Sequence, residues 1–127
     1  MIKAKFIFEE LDVWKKAVDF SIKVIDFTEN INTDRKHFRL IEQFESAATS
    51  IALNIAEGKG RFSKKEFIQF LYIARGSLYE TVTLANIFHK KNWFTDVQLN
   101  EIENAAEEIG KMISGLINSI KNSMPRA

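Results

Sequence analysis

Cysteine is absent from this sequence, and proline occurs once in 127 residues. Without cysteine the chain has no disulfide, no thiolate nucleophile and no cysteine metal ligand, and nothing in it requires an oxidising compartment. The proline, Pro125, lies close to the last residue, so long helices can run across the body of the chain. Cytoplasm is therefore the expected location.

The sequence also lacks a long hydrophobic run and an excess of charge of one sign. The longest uncharged run, residues 46–56, is far shorter than the ~20 apolar residues of a membrane-spanning helix, and the charged start MIKAKFIFEEL is a poor signal peptide. Net charge is +1 and the pI is near 7.9, below the value of about 9 that marks many nucleic-acid binders. Any nucleic-acid binding must therefore depend on a local patch.

Apolar periodicity predicts four helices, at about residues 12–31, 35–57, 64–92 and 96–122. Ser63 and Glu66 form a capping box at the third helix start, with Phe62 and Phe67 as a hydrophobic staple. The fourth helix has the same pattern in Thr95, Gln98, Phe94 and Leu99, and Gly58 is placed to end the second helix in a left-handed conformation. We find no strand pattern. The prediction is all-α: one domain, residues 1–127, an up-down-up-down antiparallel four-helix bundle.

The first helix is apolar over roughly twice the ~100° arc that a bundle core buries. The surplus predicts a second buried surface, most simply another copy of the chain, at Val13, Phe20, Val24 and Phe27. The early fourth helix is acidic, which suits a head-to-tail contact with a basic surface of a neighbouring copy; the acidic residues are Asp96, Glu101, Glu103, Glu107 and Glu108.

Three residues of the predicted third helix, Tyr72, Arg75 and Tyr79, form a stripe beside its core stripe. Aromatic residues next to arginine can stack on nucleic-acid bases, and the same residues are enriched in protein interfaces. We favour the oligomer interface for these three. Gly76 and Ser77, in mid-helix, lower helix propensity, which suggests close approach of a neighbouring helix.

The stretch NIAEGKGRFSKKEF, residues 54–67, combines glycines and cations but follows a helix and lacks the spacing of a phosphate-binding P-loop. In an alternating bundle this turn lies at the same end as both chain termini. Cations from all three segments would gather there, and these are Lys3, Lys5, Lys59, Arg61, Lys64, Lys65, Lys121 and Arg126. Such a cluster binds phosphates or is only a solvated helix-end surface. The phosphate hypothesis names Lys59, Arg61, Lys64 and Lys65.

The same region carries a family resemblance. Its motif comprises Asn54, Glu57, Gly58, Gly60, Arg61, Ser63, Gly76 and Ser77. Together with Phe8-Glu9-Glu10-Leu11 and Trp14, it resembles the bacterial four helix bundle proteins, also called 23S rRNA intervening-sequence proteins.

The resemblance implies a small bundle that assembles into a homopentameric ring and has no established biochemical activity in most members. The accessory variability determinant proteins of diversity-generating retroelements are a related group of similar fold. They form a strongly basic ring that binds nucleic acid and a reverse transcriptase. The near-neutral charge of the present chain differs from that group.

No catalytic pattern is evident in the sequence. Neither His37 nor His89 follows a glutamate by three residues, as di-iron bundles require, and the H-E-x-x-H zinc motif is absent. We therefore expect a non-enzymatic protein with no cofactor and no metal. The leading hypothesis is a ring that binds RNA, DNA or a nucleic-acid enzyme such as a reverse transcriptase. The alternative is an oligomeric scaffold or regulator of another protein, without nucleic-acid binding.

Overall fold

The computed structural model of the chain describes residues 2–33 and 37–125, and it confirms an all-α four-helix bundle. A short 3-10 helix, Ile7–Glu10, precedes four α-helices: α1 Asp12–Glu29, α2 Phe38–Lys59, α3 Lys64–Lys90 and α4 Asp96–Asn122. The predicted start of the second helix at residue 35 and the predicted contribution of Arg126 both lie outside the described residues. α3 ends two residues earlier than predicted, and Asn92 turns the chain with a φ of 63°.

Each helix packs against two neighbours, α1 and α3 both against α2 and α4. The end of the bundle where α1 and α3 begin and α2 and α4 end is called the basal end below. There, Lys64 Nζ donates to Ser123 Oγ at 3.0 Å, which joins the start of α3 to the end of α4. Phe44, Phe88 and Phe94 fill the core near the opposite end, with ring centroids 5.0–5.7 Å apart.

Most of the apolar surface of α1, apart from the exposed Ile22, is covered within the protomer, and this corrects the interface predicted there. Val13, Phe20 and Val24 are at most 4% exposed and belong to the bundle core. Phe27 is half-buried and packs edge-on against Phe94, with ring centroids 5.9 Å apart. The 3-10 helix lies against α1 and covers Trp14, which is half-buried, with Phe8 edge-on to its ring at 5.3 Å.

The predicted caps of α3 and α4 are present, but only one staple is. Ser63 Oγ accepts a hydrogen bond from Glu66 N at 3.1 Å, and Thr95 and Gln98 form a complete capping box. Phe94 and Leu99 are both buried. Phe62, however, is fully exposed, so the predicted staple with Phe67 does not form and its ring faces solvent beside the cations of the turn.

Gly58 does not terminate α2 by adopting a left-handed conformation, as predicted. It lies inside the helix, which continues to Lys59, and none of the five glycines has a positive φ. A Cβ at residue 58 would lie 2.6 Å from Phe70 Cβ and 3.0 Å from Phe67 Cδ1. Glycine is required here because α2 and α3 approach closely.

Gly76 shows the opposite situation. A Cβ at residue 76 would meet nothing within 4 Å, so close approach of a helix in the same protomer is not its reason. The neighbouring Ser77 does contact α2, since its Oγ donates to Ser50 Oγ at 3.0 Å. Gly76 therefore lowers the helix propensity of α3 without any packing benefit inside the protomer.

In the described part of the chain, no helix has both the length and the apolar character needed to cross a membrane.

Candidate nucleic-acid interface

The α2–α3 turn lies at the basal end. Its first two cations, Lys59 and Arg61, contact neighbouring aromatic or acidic side chains. Lys59 Nζ lies 5.6 Å from the centroid of the Phe67 ring. Arg61 forms an ion pair of 2.9 Å with Glu57, one helical turn earlier, and its guanidinium lies 4.7 Å from the Phe70 ring centroid. Glu57 thus offsets the charge of Arg61, which makes Arg61 the weakest of the predicted phosphate contacts.

Lys64 and Lys65 are the accessible cations of the turn. Both are exposed, and neither pairs with a carboxylate of the described residues. They occupy the first turn of α3, where unpaired backbone N–H groups and the helix dipole also favour an anion. Phe62 precedes them with its whole side chain in solvent, an arrangement that sequence reasoning missed because the staple pattern placed Phe62 inside.

A second group of cations continues from the turn along the contact between α3 and α4. We call it the α3–α4 seam, consisting of Lys64, Tyr72, Arg75, Ser114, Lys121 and Ser123. Lys121 Nζ donates to the Tyr72 hydroxyl at 2.7 Å, and Arg75 donates to Ser114 Oγ at 3.2 Å. Arg75 and Lys121 also lie over the Tyr72 ring, at 5.0 and 5.4 Å from its centroid.

Hydroxyl groups, rather than carboxylates, hold every cation of this seam among the described residues. The hydrogen bond from Lys121 lowers the pKa of the Tyr72 hydroxyl, and the charges of Lys121 and Arg75 act in the same direction. A positive field is therefore concentrated around Tyr72, a residue that is 39% exposed.

Beyond the seam, the groove between α3 and α4 contains acidic and apolar residues. A groove of about 760 Å³ includes Leu78, Tyr79 and Val82 on α3 and Glu103, Glu107 and Lys111 on α4. Lys111 lies near Glu107, at 3.7 Å, so the groove has no uncompensated cation. The cationic part of the α3–α4 contact is thus confined to the half nearest the basal end.

Several carboxylates of the predicted acidic surface of α4 make contacts within the protomer. Glu108 pairs with Lys16 of α1 at 3.1 Å, and Asp96 contacts His89 at 2.6 Å. In addition, Glu103 accepts a hydrogen bond from Asn86 at 3.3 Å. The Asp96 and Glu108 side chains nevertheless stay 89% and 54% exposed, so the head-to-tail contact with another copy stays a prediction.

Among the described residues, no group of three or more histidine or acidic side chains has the arrangement of a metal site. The His89–Asp96 pair joins the end of α3 to the start of α4.

Comparison with known proteins identifies a family and a solved structure to which the chain is similar. The model of the 23S rRNA-intervening sequence protein family matches residues 9–115. A crystal structure at 1.70 Å of a protein with unknown function from the S23 ribosomal protein family of Bacteroides thetaiotaomicron VPI-5482 matches with a TM-score of 0.75 and 28% identity. The alignment covers 83% of this chain and 97% of that one. No curated protein matches the sequence.

Proposed function

The chain belongs to the 23S rRNA-intervening sequence protein family, and from this premise we propose that it is a non-enzymatic, homo-oligomeric bundle that binds nucleic acid at its basal end. The observation that carries the proposal is the arrangement of Phe62, Lys64 and Lys65. A fully exposed aromatic ring lies two residues before a pair of exposed lysines, with Ser63 between them, and neither lysine forms an ion pair with a carboxylate of the described residues. Lysines attract phosphates, and an exposed ring provides a surface on which a base stacks.

The first prediction concerns Lys64 and Lys65, the two lysines of the turn that form no ion pair with a carboxylate of the described residues. Lys64→Glu with Lys65→Glu is expected to weaken binding of a labelled RNA stem-loop at least about tenfold at low salt, because two phosphate contacts become repulsive. Glutamate is favoured in the first turn of a helix, so the variant should keep its thermal stability. Fluorescence anisotropy measures the affinity, and circular dichroism checks the fold.

A matched control is Lys90→Glu with Lys91→Glu, which makes the same charge change at the other end of α3. The control should bind as the unmodified protein does. Equal loss in both variants would show that only net charge matters. Unchanged affinity in the Lys64/Lys65 variant would remove the turn from the site. Arg61→Gln is expected to have the smallest effect of the turn substitutions, because Glu57 already offsets Arg61.

Self-association is supported by an outer face of α2 and α3 around the Ser50–Ser77 hydrogen bond, which we call the α2–α3 face. Residues 46–54 of α2 contain no charged side chain, and Leu53 at their exposed side is 66% accessible. Leu53 follows Ser50 by about one turn, and Ile73 precedes Ser77 by about one turn. Because α2 and α3 are antiparallel, Leu53 and Ile73 lie on the same side of the Ser50–Ser77 hydrogen bond, towards the basal end. Gly76 lies beside them and leaves a flat surface.

A second copy of the chain is the occupant that best fits this face. Exposed aliphatic groups favour burial, and a mid-helix glycine without an internal neighbour is explained if another backbone approaches it from outside. The family resemblance supports five copies in a ring. This location replaces the α1 residues named from the sequence. Tyr79, which was also predicted from the sequence to lie in the interface, lines the α3–α4 groove and is not part of this face.

The second prediction is that Ile73→Glu lowers the mass of the assembly toward the 14.7 kDa of one chain, because it places a charge in the contact. Light scattering after gel filtration measures the mass. Ile22→Glu is the matched control, since both isoleucines are 52% exposed and Ile22 lies on α1, outside the α2–α3 face. If the Ile73 variant keeps its full mass, this face is not the contact.

If neither RNA nor DNA binds the assembly, the scaffold or regulator hypothesis takes the place of nucleic-acid binding. The α2–α3 face would then be the first surface on which to look for a protein partner.

A further inference from the structure

We propose that the ligand is single-stranded nucleic acid that runs from the α2–α3 turn along the α3–α4 seam, with one base stacked on Tyr72. This inference depends on the proposed function, and it goes further by extending the site and by excluding duplex as the preferred ligand.

The geometry of the seam is the first part of the argument. Contacts between α3 and α4 begin next to the turn with Lys64 and Ser123 and are followed by Lys121 on the Tyr72 hydroxyl, while Arg75 lies over the Tyr72 ring. From residue 64 to residue 75 the helix advances about 16 Å, at ~1.5 Å per residue. The seam is therefore a narrow track that reaches a few nucleotides.

The chemistry of the seam is the second part. Its cations are held by hydroxyl groups and keep their charge available, while Tyr72 is 39% exposed, and a base would share its ring with the side chains of Arg75 and Lys121. Cations that follow a backbone, with aromatic rings between them, are the combination by which proteins bind single strands. A paired base has no free face to stack on a side chain, so a duplex would use the lysines alone.

The end of the seam also follows from the structure. Past Arg75 and Ser114, the groove contains Glu103 and Glu107 and has no uncompensated cation. A phosphate would be repelled there, so the strand must leave the groove at this point. Tyr79, although more exposed than Tyr72, lies in this acidic half.

The test compares labelled oligouridine RNA and oligothymidine DNA with a duplex RNA of equal length, by fluorescence anisotropy at low salt. We expect both single strands to bind more tightly than the duplex. Tyr72→Ala should weaken single-strand binding about tenfold by loss of stacking, while Tyr72→Phe, which keeps the ring, should bind nearly as the unmodified protein does. Arg75→Gln should weaken binding and reduce its salt dependence.

Tyr79→Ala is the matched control and should leave the affinity unchanged. If the Tyr72 and Arg75 variants bind normally while the Lys64/Lys65 variant does not, the proposed function stands. The part of the seam around Tyr72 and Arg75 is then not part of the site. A preference for duplex would overturn the single-strand inference in the same way. Binding of polyglutamate as tight as that of RNA would show a general polyanion surface and also overturn it. If no nucleic acid binds at all, both proposals fail.

Discussion

A Val24→Glu variant is expected to lose its folded structure at room temperature. Val24 is fully buried in the core of the bundle, and an unpaired carboxylate there costs several kcal/mol, against a total stability of about 5–15 kcal/mol for a domain. The measurement is a urea titration followed by circular dichroism, beginning with the spectrum in buffer.

Ile22→Glu, two residues away on the same helix, is the control for this experiment and should remain folded, because Ile22 is half-exposed. The two variants also distinguish whether the stripe of α1 that contains Val24 lies in the core of the protomer or in a subunit interface. If Val24→Glu stayed helical and stable but became a smaller assembly, the stripe containing Val24 would be a subunit interface, and the assignment of that stripe to the core would be wrong.

Replacement of Gly58 by alanine is expected to lower the free energy of unfolding by about 1–3 kcal/mol, the typical cost of overpacking a core. The new methyl group would lie 2.6 Å from Phe70 Cβ, an atom fixed to its backbone, so α2 and α3 must move apart. Thermal and urea unfolding of the purified variant measure the change.

Gly76→Ala is the matched comparison, because it makes the same chemical change in the neighbouring helix with nothing within 4 Å. It should raise the stability of the protomer by up to about 1 kcal/mol, the difference in helix propensity between alanine and glycine. Equal destabilisation by the two substitutions would contradict the account of Gly58.

The sequence predicted the architecture well because the signals for helices are local. Apolar periodicity and the caps at Ser63 and Thr95 depend on residues a few positions apart, and the structure has both α3 and α4 beginning directly after these residues. α4 ends at Asn122, as predicted, while α1 and α3 end two residues earlier than predicted.

The sequence could not show what packs against each helix, and this explains the errors. A wide apolar arc on α1 indicates burial, but whether a neighbouring helix, the 3-10 helix or another copy covers it depends on tertiary contacts. A glycine near a helix end is compatible with a left-handed conformation and also with close approach of a neighbouring helix, and the sequence does not distinguish the two. The prediction of a left-handed Gly58 was therefore wrong.

The candidate site was only partly predictable for the same reason. Lys64 and Lys65 were named because they adjoin each other and a helix start. Lys121 comes to Tyr72 across 49 positions of sequence, and Arg75 meets Ser114 across 39. The ion pair of Arg61 with Glu57 was predictable from the sequence, because Glu57 precedes Arg61 by four residues, a spacing that favours an ion pair on a helix.

The most direct test of the account is the salt dependence of single-stranded RNA binding by the unmodified protein. Four cations, Lys64, Lys65, Arg75 and Lys121, lie along the turn and the seam, so the logarithm of the association constant should fall with the logarithm of salt concentration with a slope of about −3. That slope would support nucleic-acid binding at the basal end. Absence of binding at low salt, or binding that salt does not weaken, would contradict it.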